Sequence, residues 1–163
     1  MPLGVLSSYQ MIDNSEIVLN IETCNSKTTS KGNLFVGGAF MGNTVHFNSD
    51  NNVDYIDAFQ VVNPTVLNEA DKFSKKGTFI MHELSEAYEG AKISSKKKVS
   101  TSYLEKNVYK EAHNKATYQP TVFQKLYDND GNVTLDSKKA IRVEWYVVDE
   151  FDKNKQNIIQ TYP

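Results

Sequence analysis

The segment that decides the fold class lies near the middle of the chain and reads Phe79-Ile80-Met81-His82-Glu83-Leu84-Ser85-Glu86-Ala87-Tyr88. Its apolar residues recur every three or four positions, which places them along one face of an amphipathic helix. We predict that this helix begins at Thr78, which can act as its cap, and ends near Ile93. The lysine-rich residues 94–98 are predicted to form a loop.

Two further helices are predicted on either side of this one. Pro64 can occupy the first helical position of a segment that runs to Phe73. Another helix fits residues 102–117, with Leu104, Val108 and the small residues Ala112 and Ala116 facing inward. The central third of the chain therefore reads as helical.

Strand character dominates the two ends of the chain. Residues 1–63 contain period-2 segments, such as 17–21 and 44–47, with Gly37-Gly38 and Gly42-Asn43 as turn signals, and predict three to five short strands. Residues 121–127 and 141–148 predict two more strands, and Asp128-Asn129-Asp130-Gly131-Asn132 predicts a tight hairpin turn rather than a calcium loop. We predict one α+β domain over residues 1–163, whose central helices carry the functional site and whose C-terminal part is a β-hairpin with further strands.

Composition narrows the kinds of site that the chain can hold. It has 163 residues, a net charge of −2, three histidines and one cysteine. The lone Cys24 excludes an internal disulfide and a thiolate zinc knuckle, so any metal site must combine histidines with carboxylates. Lys92 and residues 96–98 form a local basic run without interleaved aromatic residues, and we predict no nucleic-acid partner.

The sequence also predicts no membrane-spanning segment, because no apolar run approaches about 18 residues. Residues 1–6 lack the basic start and the long apolar run of a signal peptide. The default expectation is therefore a cytoplasmic protein, with export by another route left open. No feature indicates an oligomeric state.

The chemistry is predicted to reside in the turn His82-Glu83-Leu84-Ser85-Glu86. Residues four positions apart share one face of a helix, so His82 and Glu86 can ligate one metal ion. Glu83 lies about 100° further around the helix, beside that ion, where a general base can deprotonate a water. A solvated face bearing Glu83, Glu86 and Glu89 is the alternative interpretation of the same residues.

This turn resembles the His-Glu-x-x-His helix of the zincin metallopeptidases. The local sequence is similar to the active helix of zinc metallopeptidase domains in bacterial effectors and polymorphic toxins. The resemblance covers about ten residues closely and, loosely, residues 45–118. It implies that His82 is a zinc ligand and Glu83 the catalytic base. Glu86 departs from the family pattern, since it stands where the second histidine is expected.

A catalytic zinc usually has three protein ligands and one water, so a third ligand is required. His113 on the next predicted helix is the candidate, with Glu105 and Glu111 as alternatives. Tyr109 shares a helix face with His113 and can donate a hydrogen bond to a substrate oxyanion, a role for which Tyr88 is the alternative. His46 is predicted to be a polar-face strand residue, on a strand whose edge can border the cleft and pair with an extended substrate.

These residues support two functional hypotheses. The first is a zinc-dependent metallohydrolase that acts on peptide or protein substrates, with His82, Glu86 and His113 as ligands and with Glu83 and Tyr109 as catalytic residues. The second is a non-catalytic α+β binding module on a degenerate zincin-like scaffold, for which Glu86 is the main support. A purely structural helix is a third interpretation, under which His82 and His113 lie far apart.

Overall fold

The computed structural model describes residues 14–32, 34–103 and 105–163. Within them the elements follow one another as β1 (Ile17–Thr23), β2 (Gly38–Phe47), β3 (Val53–Val62), α1 (Pro64–Ala70), α2 (Thr78–Lys97), β4 (Thr101–Ser102), α3 (Lys106–Lys115), β5 (Val122–Tyr127), β6 (Val133–Thr134), β7 (Arg142–Val148) and β8 (Gln156–Tyr162). The predicted α+β class is confirmed. Residues 1–6 and Leu104, on which two of the predictions fall, lie outside the described residues.

The strands form two four-stranded sheets, the first from β1 to β4 and the second from β5 to β8. The first sheet has the order β1-β3-β2-β4, with β1 parallel to β3 and the other pairs antiparallel. The second has the order β6-β5-β7-β8 and is antiparallel throughout. The predicted hairpin turn is present: Asp128 donates its N–H to the carbonyl of Asn132, and Gly131 supplies a positive φ of 80°.

Two apolar clusters hold the elements together. The first joins the inner face of the first sheet to α2 and α3 and includes Phe40, Ile56, Ala58, Ala91 and Ala112. The small residues of the helices allow close approach. At Gly90 of α2, the ring of Phe40 lies so close that there is no room for a Cβ. The second cluster joins α1, the start of α2 and the second sheet. Helix α2 thus contributes to both clusters.

All three helices have boundaries that differ from the sequence predictions: α1 ends at Ala70, followed by a short 3-10 turn to Phe73, and α3 ends at Lys115. Residues 94–97 were predicted as part of a loop, but α2 continues through them to Lys97 and ends at Lys98, which adopts a left-handed conformation. Ile93 and Ser94 are buried there, and the Ser94 hydroxyl lies 2.7 Å from the Thr101 hydroxyl, so tertiary contacts extend the helix. Residues 101–102 form β4, and α3 begins only at Lys106.

The start of α2 is also capped differently from the prediction. Gly77, not Thr78, is the cap residue, and it has a φ of 84°. The carboxylate of Asp71 accepts hydrogen bonds from the backbone N–H groups of Gly77 and Phe79. A carboxylate from an earlier turn therefore satisfies donors that the helix itself leaves unpaired.

The glycine pairs predicted as turns belong instead to strand β2 or its start. Gly38 begins the strand, and Gly42-Asn43 lies inside it, where its register against β3 shifts between Phe40 and Asn43. Gly42 has a φ of 93°, and a Cβ there would lie 2.2 Å from the Thr101 carbonyl oxygen. The bulge lets β2 bend across α2 while the Asn43 amide bonds Gly90 and Thr101.

Candidate metal centre

The predicted ligands His82, Glu86 and His113 come together between α2 and α3. His82 and Glu86 lie one helical turn apart on α2, and His113 lies in the last turn of α3. The helices meet through buried Ala87 and Ala112, which have no side chain long enough to keep them apart. This placement agrees with the prediction that the two histidines are adjacent. It disagrees with the third interpretation, in which the helix is purely structural and His82 and His113 lie far apart.

Three potential ligand atoms converge within this group. Nε2 of His82 lies 3.1 Å from Nδ1 of His113, and Nδ1 of His113 lies 2.7 Å from Oε2 of Glu86. The third separation, between Nε2 of His82 and Oε2 of Glu86, is 3.8 Å. Tetrahedral ligands about 2.0–2.1 Å from a zinc ion are about 3.3 Å apart, and the three separations lie on either side of that value.

A backbone carbonyl sets the tautomer of His82. Its Nδ1 lies 2.5 Å from the carbonyl oxygen of Thr117, which can only accept a hydrogen bond, so Nδ1 carries the proton. Nε2 is therefore left with a lone pair that points at His113 and Glu86. In metal-ligating histidines, the ring nitrogen that does not bind the metal almost always donates its N–H to a carboxylate, a backbone carbonyl or a water.

Ser85 holds Thr117 in place beside His82. Its hydroxyl donates to the carbonyl of His82 at 2.9 Å and accepts the backbone N–H of Thr117 at 2.7 Å. The Thr117 hydroxyl lies 3.1 Å from the same oxygen. These bonds fix the segment after α3 against α2 and thereby orient the His82 ring.

Glu86 is a buried carboxylate with one oxygen left unpaired. The residue is 2% exposed, and among the described residues Oε1 has no hydrogen-bond partner although it is shielded from solvent. Burial raises the pKa of Glu86, while the hydrogen bond from His113 acts in the opposite direction. A buried carboxylate of this kind is stabilised by a nearby cation.

The two histidines have opposite pKa shifts. Burial lowers the pKa of His82 to about 4, with the Thr117 bond opposing this and the charge of His113 adding to it. The hydrogen bond to Glu86 raises the pKa of His113 against the effect of burial. His82 is therefore neutral near pH 7, whereas one proton is shared between His113 and Glu86. A metal ion would replace that proton.

Glu83 lies next to the ligands and faces the same cavity as Glu86 and His113. Its Oε2 accepts a hydrogen bond of 2.6 Å from Nε2 of Gln60 on β3. Burial raises the pKa of Glu83 well above its usual range, and the negative charge of Glu86 raises it further. Glu83 is thus a buried carboxyl group on the cavity wall and not part of a solvated helix face.

Tyr109 also lines the cavity, and its ring stacks on His113 with 5.7 Å between ring centres. Desolvation and the charges of Glu86 and Glu83 raise its pKa, so its hydroxyl remains a hydrogen-bond donor at neutral pH. Tyr88, the alternative, belongs instead to the first apolar cluster, and its hydroxyl accepts a bond from Asn14. Among the described residues, Tyr109 lines the cavity and Tyr88 does not.

The remaining sequence candidates lie apart from the ligands. Glu111 pairs with Lys115 at 2.7 Å, and neither Glu105 nor Glu111 belongs to the ligand group. His46 lies on β2, where it bonds Asp57 at 3.0 Å and stacks on Tyr55, as expected for a polar strand face.

The cavity beside the ligands has a volume of about 780 Å³. Carboxyl and imidazole groups line one part of it, and apolar side chains from α1, α2 and the second sheet line the rest: Val66, Leu67, Phe79, Val122, Trp145 and Ile159. Residues 38–41 of β2 border it, and not residues 44–47, for which the sequence predicted contact with a substrate. Small-molecule and cofactor sites commonly have volumes and linings of this kind.

Sequence reasoning missed Gln60, Ser85 and Thr117 as parts of this site. Gln60 could have been noticed from the sequence, because it is a polar residue within the otherwise apolar end of a strand. Ser85 and Thr117 act through backbone groups that are brought together only when α3 packs on α2. Their roles depend on tertiary contact.

Comparison of the chain with protein-family models, curated proteins and solved structures finds no match. Within the described residues, no helix is long and apolar enough to cross a membrane. What the geometry supports is a group of two histidines and one glutamate that could hold a metal ion.

Proposed function

We propose that this protein is a zinc-dependent hydrolase that cleaves peptide bonds, with His82, Glu86 and His113 as the zinc ligands. The observation that carries the proposal is the convergence of three ligand atoms within 3.8 Å of one another, with Nδ1 of His82 bonded to a backbone carbonyl. Two nitrogens and one carboxylate oxygen form a ligand set typical of catalytic zinc.

Zinc supports the chemistry because a bound ion acts as a Lewis acid and lowers the pKa of a coordinated water to about 7. In the proposed mechanism Glu83 accepts the proton of the attacking water and then transfers it to the leaving amine. The Tyr109 hydroxyl donates a hydrogen bond to the oxygen that becomes negative as the carbonyl is attacked. The apolar cavity wall limits access of bulk water to these groups.

An extended peptide is the substrate class that best fits the cavity. Among the described residues, β4 pairs with β2 only at Gly42 and Asn43, and the neighbouring residues 39–41 of β2 border the cavity. A free strand edge can add an extended chain through backbone hydrogen bonds. The apolar wall can then accept a large side chain of that peptide.

Replacement of the base tests the proposal. Untagged protein loaded with one equivalent of zinc is incubated with a mixture of unstructured peptides, and cleavage is followed by mass spectrometry. Glu83→Gln should lower the cleavage rate by about 10²–10⁴-fold, because it removes the proton acceptor, and should leave bound zinc unchanged. Glu89→Gln is the matched control: Glu89 lies on the same helix, in an ion pair with Lys92.

The alternative function is a non-catalytic binding module, supported by a glutamate where zincins have their second histidine. Under that alternative, wild-type protein cleaves no peptide and Glu83→Gln changes no measurable property. Cleavage by wild-type protein that persists at full rate in Glu83→Gln would contradict the assignment of the base.

A further inference from the structure

Gln60 is a fully buried polar residue that has no role in the mechanism proposed above. It lies on the central strand β3 with 1% of its surface exposed, among the apolar residues that face the helices. Its Nε2 donates to Oε2 of Glu83 at 2.6 Å, while its own Oε1 has no hydrogen-bond partner in the part of the chain that the structure describes. Burial of an amide that is only partly paired costs free energy, so an apolar residue would serve packing better.

Gly38 makes room for the same carboxylate from the other side. A Cβ at Gly38 would lie 2.0 Å from Oε2 of Glu83, which is far closer than any real contact. Gly38 does not have a positive φ, so backbone conformation does not require glycine at this position. The absence of a side chain therefore serves the position of Glu83.

We propose that Gln60, with Gly38, is a positioning residue that fixes the carboxylate of Glu83 for proton transfer. The proposal rests on the function proposed above and adds residues that no family motif supplies. The Gln60 amide holds Oε2, which leaves Oε1 to accept the proton of the water. The hydrogen bond from Gln60 restricts rotation of the Glu83 side chain, and Gly38 allows that side chain to lie against the backbone of β2.

The first test replaces Gln60 with a residue of similar shape that has no donor. Gln60→Met should lower kcat by about 10–100-fold, as expected for a displaced catalytic group, with KM within about twofold and with zinc content unchanged. In a Glu83→Gln background the same substitution should have no further effect on the residual rate, because no base remains to be positioned. An equal loss in both backgrounds, or an unchanged kcat, would overturn the proposal.

Two further variants separate positioning from folding. Gln160→Met makes the same change at another buried glutamine, on β8, and should leave kcat unchanged. Gly38→Ala displaces the carboxylate without touching Gln60 and should reproduce the loss of kcat. If Gln60→Met does not fold, Gly38→Ala tests the positioning role instead. Full kcat in Gly38→Ala would then overturn the proposal that Gln60 and Gly38 position Glu83.

A readout without turnover distinguishes failure of this role from failure of the proposed function. The side-chain amide signals of Gln60 are followed by ¹⁵N-edited NMR in wild-type protein and in Glu83→Met. Signals that do not change overturn the positioning role even where wild-type protein cleaves peptides. Signals that change in a protein that cleaves no peptide overturn the proposed function, and this role with it.

Discussion

Two buried glutamates in different parts of the molecule show what distinguishes the site from the scaffold. Glu144 on β7 is 9% exposed, and both of its oxygens are paired: Oε1 with Arg142 at 3.3 Å and Oε2 with the Tyr146 hydroxyl at 2.5 Å. Glu86 is 2% exposed and has two imidazoles beside Oε2, but Oε1 is unpaired within residues 14–32, 34–103 and 105–163. The carboxylate of Glu144 is paired with the permanently charged Arg142, whereas the described residues place only imidazoles beside Glu86.

The comparison teaches that burial of a carboxylate does not by itself indicate a site. Glu144 has a permanent cation and a phenol as partners, and Tyr127 extends the group through a bond of 2.9 Å to Tyr146. Such a closed network stabilises the pairing of β5 and β7. The partners of Glu86 are two imidazoles, neither of which carries a permanent charge, and this arrangement suits a metal ion.

The largest expected effect distinguishes the two glutamates directly. Glu86→Gln should weaken zinc binding more than about 100-fold, since even changes outside the ligand shell commonly cost about 10–100-fold. Glu144→Gln should leave zinc affinity unchanged, because Glu144 is not a ligand. Competition with a chromophoric chelator at pH 7.5 measures both affinities. Equal affinities in the two variants would contradict the distinction.

A second prediction concerns pH. The pKa values of Glu86 and His113 are both raised, so zinc must displace the proton that they share, whereas His82, with a pKa of about 4, is already neutral. Zinc affinity should therefore fall as pH falls, by about tenfold per unit below the raised pKa values. Titration calorimetry in buffers of different ionisation enthalpy counts the protons released.

Zinc affinity that is independent of pH between 5.5 and 7.5 would contradict this description of the cluster.

The lowered pKa of His82 also predicts how the stability of the fold depends on pH. The pKa of His82 is lower in the folded protein than in the unfolded chain, so the neutral imidazole contributes to the free energy of unfolding. This contribution is present above about pH 6.5 and is lost as pH falls towards about 4.

The smallest effect is expected at Ser85, which acts on His82 only through Thr117. Ser85→Ala should weaken zinc binding by less than about tenfold and should lower the free energy of unfolding by about 1–3 kcal/mol. Ser94→Ala is the matched control: Ser94 is a buried serine of the same helix whose hydroxyl bonds Thr101 instead. Thermal unfolding and chelator competition should show a similar loss of stability but no loss of affinity in the control.

The α+β class and the meeting of His82, Glu86 and His113 could be predicted from the sequence, because helical periodicity places residues on faces. The end of α2 could not, since burial of Ser94 outweighs the loop tendency of the lysine run. The bulge in β2 depends on the Asn43 amide reaching α2 and β4, contacts that local glycine signals do not reveal. The Gln60–Glu83 bond likewise joins residues 23 positions apart.

Metal analysis tests the central claim most directly. Protein purified without a histidine tag and dialysed against zinc-buffered solution is analysed by inductively coupled plasma mass spectrometry, together with His82→Ala and His113→Ala. The account predicts one zinc per wild-type chain and loss of that zinc from both variants, with folding verified by circular dichroism. Substoichiometric zinc that neither substitution changes would contradict it.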